Sequence, residues 1–286
     1  MSDKNTVFHQ KSTLNLRGTL MDLSIPKVMG ILNLTPDSFY DGGKNNEIKT
    51  ALSKTEKMLS EGAAIIDVGA YSSRPNAEHI SAESELNRLM PVIDKLVKEF
   101  PKAIFSIDTF RHDVAKAAIE AGAHLINDIS GGEMDSQMFA TAGKLKVPYI
   151  LMHMRGTPQT MNRETNYLNV FDEVFSYFSA KIFSLKSCGV YDIILDPGFG
   201  FAKKPEQSYQ LLSKLKDFQI LGLPLLAGLS RKSMIYKTLD IPADEALNGT
   251  TVLNTIALLN GASILRVHDV QPAVEAVKLV EKLNSN

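Results

Sequence analysis

The sequence predicts a closed barrel of eight parallel strands alternating with helices, the TIM (β/α)8 barrel, with an N-terminal β-hairpin ahead of it. Three observations predict it. Short apolar runs recur along the chain, and each leads to a polar residue. Segments of helical period lie between them. Eight such units fill about 250 residues, the count and length of this architecture. Continuous apolar strands that alternate with helices indicate a parallel sheet buried on both faces. An open doubly wound sheet would not need eight similar strand ends.

The elements follow in order. TLNLRGTLMDL, within residues 12–25, reads as a hairpin turning near Gly18 and placed to plug the N-terminal end of the barrel. The strand-like runs are VMGILN to Asn33, AIIDVG through Asp67, AIFSID to Asp108 and HLIN to Asn127. They continue with YILMH to His153, DIILD to Asp196, LLAGLS to Ser230 and ILRVH to His268. The shortest step, Asp108 to Asn127, still admits a short helix and two turns. Leu86, Leu89, Met90, Ile93, Leu96, Val97 and Phe100 form the clearest helical stripe. Phe171, Val174, Phe175, Phe178, Ile182 and Leu185 form a second. Pro272 marks the start of a last helix carrying Val277, Val280 and Leu283. No linker or low-complexity stretch divides the chain, so a single domain over residues 1–286 is expected.

Composition excludes several classes of function. With 286 residues, 44% hydrophobic content and a formal charge of −1, the chain has ample core and no nucleic-acid or membrane footprint. Cys188 is the single cysteine and cannot form an internal disulfide, which suits a reducing cytosol. The start, MSDKNTVFHQK, lacks the apolar core of a secretory signal, and no apolar run reaches membrane-spanning length. A cytoplasmic location is the expectation.

In a barrel of this type the C-terminal strand ends and the loops after them build the active site. One Asp or Asn after a strand is ordinarily a turn residue or a helix N-cap. Asp108, ahead of a helix beginning near Arg111, fits that reading alone, and Asp128 points away from Asn127 and reads as structural. The set is harder to dismiss: Asn33, Asp108, Asn127, Asp196, Lys232, Arg266 and His268 surround one mouth. Ser230-Arg231-Lys232 and Arg266-Val267-His268 close the last two strands, the recurrent phosphate sector of this fold. Arginine supplies a planar fork of donors for an anion. A loop ion pair of Arg266 with Asp269 is the alternative, and it leaves His268 unexplained. Asp108 and Asp196 with Asn127 suit the N–H edge of a heterocycle, and Lys232 its carbonyl or imine side. A pterin and a purine fit this logic equally.

The loops after the first two strands, residues 29–43 and 69–77, are long enough to act as lids or binding loops. No catalytic triad or zinc signature is present, and Met152 and Met154 beside His153 read as packing rather than as metal ligands. Gly131-Gly132 resembles a tight phosphate loop but is weak on its own.

Taken in order, MGILNLTPDSFYDGG, IIDVGAYSSRP, FSIDTFR, LINDISGG, LMHMRGTP, ILDPGFGFAKK, GLSRKSM and ILRVHDV resemble the dihydropteroate synthase family. The resemblance spans nearly the whole chain. It implies condensation of 6-hydroxymethyl-7,8-dihydropterin diphosphate with 4-aminobenzoate, giving 7,8-dihydropteroate and diphosphate in folate biosynthesis. A TIM barrel, Mg2+ dependence, a homodimer and sensitivity to sulfonamides follow as expectations. Carried onto this sequence, Asp108, Asn127, Asp196, Lys232, Arg266 and Met152 would hold the pterin. Asn33, Ser73, Arg266 and His268 would meet the diphosphate, with Asn33 also the metal contact. Ser73, Pro75, Phe201, Ser230 and Lys232 would frame 4-aminobenzoate. Lys232, Arg266 and His268 would carry the catalysis, by charge stabilisation and positioning rather than by nucleophilic attack.

One stretch departs from the family. Where many members have Gly-Gly-Glu-Ser-Thr-Arg-Pro-Gly, this chain has Gly69-Ala70-Tyr71-Ser72-Ser73-Arg74-Pro75-Asn76. Tyr71 replaces an acid, Asn76 a glycine, and Ser73 keeps the threonine hydroxyl without its methyl. Rival classes are a pterin-binding methyl-transfer domain, a Schiff-base aldolase using Lys232, and a binding paralogue without turnover.

Overall fold

The computed structural model describes residues 11–34, 43–72 and 79–285. A hairpin of β1 (Thr13–Leu16) and β2 (Thr19–Asp22) comes first, and its turn holds Gly18 at φ +96° and Arg17 at φ +54°. Eight parallel strands follow: β3 (Lys27–Asn33), β4 (Ile65–Gly69), β5 (Phe105–Asp108), β6 (Leu125–Asp128), β7 (Tyr149–Met152), β8 (Ile193–Asp196), β9 (Leu226–Ala227) and β10 (Ile264–Val267). Their order around the sheet is β8-β7-β6-β5-β4-β3-β10-β9. Closure between β8 and β9 comes from the parallel bridge of Leu195 with Leu225 and from the Leu195 N–H donating to Pro224 O at 2.9 Å.

The helices that wrap the sheet are α1 (Gly43–Ser60), α2 (Ala82–Glu99), α3 (His112–Glu120), α4 (Met138–Leu145), α5 (Val170–Ser187), α6 (Pro205–Ser213), α7 (Ser233–Leu239), α8 (Leu247–Leu259) and α9 (Val270–Asn284). Each stripe read from the sequence turns to the core, because helical spacing puts those positions on one face. Leu89, Ile93 and Leu96 of α2 are buried, as are Val174, Phe178, Ile182 and Leu185 of α5. Ser81 caps α2 by accepting from the Ser84 N–H, and Asn169 caps α5 through the Phe171 and Asp172 N–H groups. The last helix begins two residues before Pro272. Val277 and Val280 are buried, but Leu283 lies on the exposed side, since repeated steps of three drift off a 3.6-residue face.

The hairpin stoppers the barrel. Leu14, Leu16, Met21 and Leu23 pack in one cluster with Met29, Ile65, Leu125, Ile150, Ile194, Leu226 and Ile264. These last residues are the lowest inward-facing layer of the strands. One pleat higher, two residues along, the same inward positions become Ile31, Asp67, Asn127, Met152, Asp196, Gly228 and Arg266. The barrel therefore changes from an apolar floor to a charged layer within one repeat, and the floor keeps water from reaching that layer from below.

Candidate active site

Arg266 on β10 is the hinge of the charged layer. Its Nε donates to Asp67 Oδ2 at 2.6 Å and its Nη2 to Asp108 Oδ2 at 2.6 Å. Asn127 Nδ2 donates to the same Asp67 oxygen at 2.8 Å. Asp67 is fully buried, and its other oxygen, Oδ1, has no hydrogen-bond partner among the described residues. Asp196 at the end of β8 accepts from the Gly198 N–H at 2.8 Å. Lys232 reaches towards it: a Cβ placed on Gly228 would sit 3.9 Å from both Asp196 Oδ2 and Lys232 Nζ. The Lys232 ammonium also donates to Phe199 O and lies 4.6 Å from the Phe201 ring centroid.

Three carboxylates, Asp67, Asp108 and Asp196, thus face two cations, Arg266 and Lys232. The imbalance favours protonation of an acid. Burial pushes the Asp108 carboxyl up to about 7, with Asp67 adding to the rise and Arg266 opposing it. Burial raises Asp196 as well, against the attraction of Lys232. Burial lowers Lys232 to about 8, with Asp196 holding the proton on and Arg266 driving it off. For Arg266, burial disfavours the charge, but Asp67 and Asp108 outweigh it and raise its pKa. Such a layer has acceptors to spare and suits a ligand edge rich in N–H donors.

Above it is a rim. Ser230 Oγ accepts from the His268 backbone N–H at 3.2 Å and shares a 3.0 Å hydrogen bond with its Nδ1. His268 is exposed at the mouth, and Asn33, half-buried, ends β3 beside Gly69 of β4. Met152 packs in an apolar cluster with Phe201, Ala202, Met154 and Phe110 near the mouth. The predicted residues Asp108, Asn127, Asp196, Lys232, Arg266, Phe201 and Met152 thereby share one end of the barrel with Asn33, Ser230 and His268. Ser73 and Pro75 lie outside the described residues, as do residues 35–42 of the first long loop. A cavity of about 810 Å3 on the flank, between the loops after β6 and β7 and α5, is lined by none of these predicted residues.

Several local readings are now decided. Arg266 does not pair with Asp269; that carboxylate takes a bidentate bond from Arg231 at 2.9 and 3.0 Å. Asp108 does not cap α3, whose N-cap is Arg111. Asp128 is structural, accepting from Ser130, Gly132 and the Tyr149 hydroxyl. It thereby takes the Gly132 N–H of the Gly131-Gly132 loop that a phosphate would need.

Sequence reasoning passed over Asp67, although the pleat from Ile65 already put it on the inner face. It also passed over Glu85 of α2, buried against Thr109 and Arg111, and over Lys203, discussed below.

Comparison with known proteins gives the class first: the family model for "Pterin binding enzyme" matches residues 29–268. Dihydropteroate synthase of Escherichia coli strain K12 is 44% identical over 267 residues, covering 93% of this chain and 94% of that protein. The structure of Xanthomonas albilineans dihydropteroate synthase with 4-aminobenzoic acid superposes with a TM-score of 0.90 at 35% identity, covering 96% of this chain and 99% of the other. That of the Yersinia pestis dihydropteroate synthase in a sulfonamide drug complex gives 0.90 at 41% identity, covering 96% and 100%. The chain belongs to the dihydropteroate synthase family of pterin-binding enzymes.

Proposed function

We propose that this chain works as a dihydropteroate synthase in folate biosynthesis. It joins 6-hydroxymethyl-7,8-dihydropterin diphosphate to 4-aminobenzoate and releases 7,8-dihydropteroate and diphosphate. The observation that carries the reading is the gathering of Asp108, Asn127 and Asp196 with Lys232 at one end of the barrel, beneath a rim of Ser230 and His268. Asp108 and Asp196 would accept from the pterin N–H edge, Asn127 would complete that edge, and Lys232 would donate to the ring's carbonyl or imine side. Met152 would lie against the ring. As the ligand edge takes over Asp108, Arg266 Nη2 is released to turn towards the diphosphate.

The bond from the pterin methylene to the diphosphate oxygen breaks, and the electron-rich ring stabilises the cation left behind. Arg266 and His268 stabilise the departing charge. The amine lone pair of 4-aminobenzoate then forms the C–N bond and the nitrogen loses a proton. Phe201, Ser230, Ser73 and Pro75 would hold the amine in line, which is where proximity contributes most.

Mg2+ fits this site as a substrate-borne ion. Among the described residues no group of three His, Cys, Asp or Glu side chains could hold a metal. Asn33 offers one hard oxygen, and Mg2+ is commonly held by one or two protein oxygens plus substrate phosphates. Bound there it would supply further charge neutralisation to the leaving diphosphate.

The assembly is read as a homodimer, with α8 as the contact. Val252, Ile256 and Leu259 form an exposed apolar face at helical spacing, 50%, 36% and 51% accessible. A cytoplasmic location agrees with the free Cys188, and among the described residues no helix is long and apolar enough to cross a membrane. The Yersinia pestis relative takes a sulfonamide drug, so this chain is read as a sulfonamide target whose response is set around Tyr71, Ser73 and Asn76. Calorimetric titration with the dihydropterin diphosphate tests the core of the reading. Asp196→Asn, which removes an acceptor, should weaken binding by about tenfold or more.

A further inference from the structure

Lys203 is a buried lysine that the chemistry above does not use; burial drives its pKa well below the ordinary lysine value, against the attraction of Asp196. Its Nζ makes four contacts: Phe201 O at 2.9 Å, His153 Nδ1 at 2.9 Å, Gly198 O at 3.0 Å and His153 O at 3.1 Å. Three of the four partners are carbonyl oxygens, which only accept, and the fourth, His153 Nδ1, accepts or donates according to its tautomer. Two of the carbonyls belong to the loop of residues 197–203, and the other two contacts belong to His153, just beyond β7. Lys203 therefore ties the loop to itself and to the neighbouring strand end.

That loop needs tying. Gly198, Gly200 and Ala202 all have left-handed backbone, with φ of +68°, +77° and +50°. For Ala202 the conformation carries a steric penalty, because Cβ crowds the following carbonyl. The loop also runs against β7 so closely that a Cβ on Gly198 would fall 2.1 Å from His153 O. A non-glycine residue held in that well persists only where its surroundings over-determine it. What the loop presents is specific: the Phe201 ring stands 4.6 Å from Lys232 Nζ, and Phe199 O accepts from that ammonium.

We infer that Lys203 is a positioning residue for the aryl-amine half of the reaction, its amino group holding this loop so that Phe201 and the Phe199 carbonyl stay against Lys232. The inference rests on the reading that Phe201 and Lys232 border the 4-aminobenzoate site. His153 is suited to its part. Burial, with Lys203 and Arg155 nearby, drives its pKa down to about 2, so the imidazole is neutral and pairs with the Lys203 amine without charge repulsion. The pterin side depends on the loop less: Asp108 and Asn127 belong to strands whose register does not involve it, while Asp196, which accepts from the Gly198 N–H, and Lys232 are shared with it.

The test is steady-state kinetics on the full chain, varying 4-aminobenzoate at saturating dihydropterin diphosphate and then the reverse. Lys203→Met should raise the KM for 4-aminobenzoate about tenfold and that for the pterin substrate less than about threefold. His153→Ala, which removes one of the four contacts, should split the two KM values in the same direction by about threefold. It carries the test alone if Lys203→Met does not accumulate as folded protein. A residue with a merely structural role would lower the active fraction, and so the maximal rate, with both KM values unchanged. Unchanged KM values, or equal changes in both, would overturn the inference. No product from the unaltered chain would overturn the functional reading and the inference with it, a result distinguishable from product with unsplit KM values.

Discussion

Arg266 and Asp108 are joined at 2.6 Å across the barrel mouth, and the same guanidinium holds Asp67 at 2.6 Å. One cation thus pairs with two carboxyl groups, of which one is fully buried and the other largely so. Removing it should be costly to the fold as well as to turnover. Arg266→Met leaves both acids without their cation and should lower stability by about 3 kcal/mol in urea denaturation. Adding Asp67→Asn to Arg266→Met should restore most of that stability while turnover stays lost. Restored turnover would remove Arg266 from the chemistry.

The pH dependence of kcat/KM should be a narrow bell. Its acid limb belongs to Asp108, which sits at about 7 in the free protein and must be ionised to accept from the ligand. Its basic limb belongs to Lys232 at about 8, which must be protonated to donate. Asp108→Asn should remove the acid limb at low residual activity. Lys232→Arg should move the basic limb well above pH 8, since the guanidinium stays charged.

Asp108 also makes stability depend on pH in a defined direction. Its folded pKa of about 7 lies above the unfolded carboxylate value of about 3.9, so the native state holds the extra proton between them. Its contribution is full below the unfolded value and is lost as pH rises through about 7. Denaturation midpoints measured across that window should fall with rising pH in the unaltered chain. The Asp108→Asn protein should lack that component of the slope.

Much of this was legible in the sequence because strand and helix periods are local. Eight apolar runs with polar ends, and stripes such as Leu89, Ile93 and Leu96, specify a barrel and its mouth without tertiary information. The hairpin plug was legible too, through the alternation of Leu14 and Leu16. What stayed hidden was partnership across the barrel. Nothing local tells that Arg266 pairs with acids 199 and 158 residues away rather than with an anion or with Asp269. Asp67 was masked by the apolar run around it, and Lys203 reads as an ordinary surface lysine beside Lys204 until the carbonyls around it are seen.

The exposed face of α8 gives the assembly a direct check. Placing charge there, as Val252→Glu with Ile256→Arg, should convert the proposed dimer to monomer in sedimentation velocity. Both side chains already face outward, so the monomer should keep its fold. A wild-type chain that sediments as monomer at micromolar concentration would contradict the homodimer.

The central claim is that the charged layer binds a pterin and passes its methylene group to an aryl amine. The direct measurement is product formation by purified chain with dihydropterin diphosphate, 4-aminobenzoate and magnesium, following dihydropteroate and diphosphate together. The account predicts equal amounts of both products, formed only when both substrates are present and lost in Arg266→Ala. Pterin bound without product, or no pterin bound at all, would contradict it.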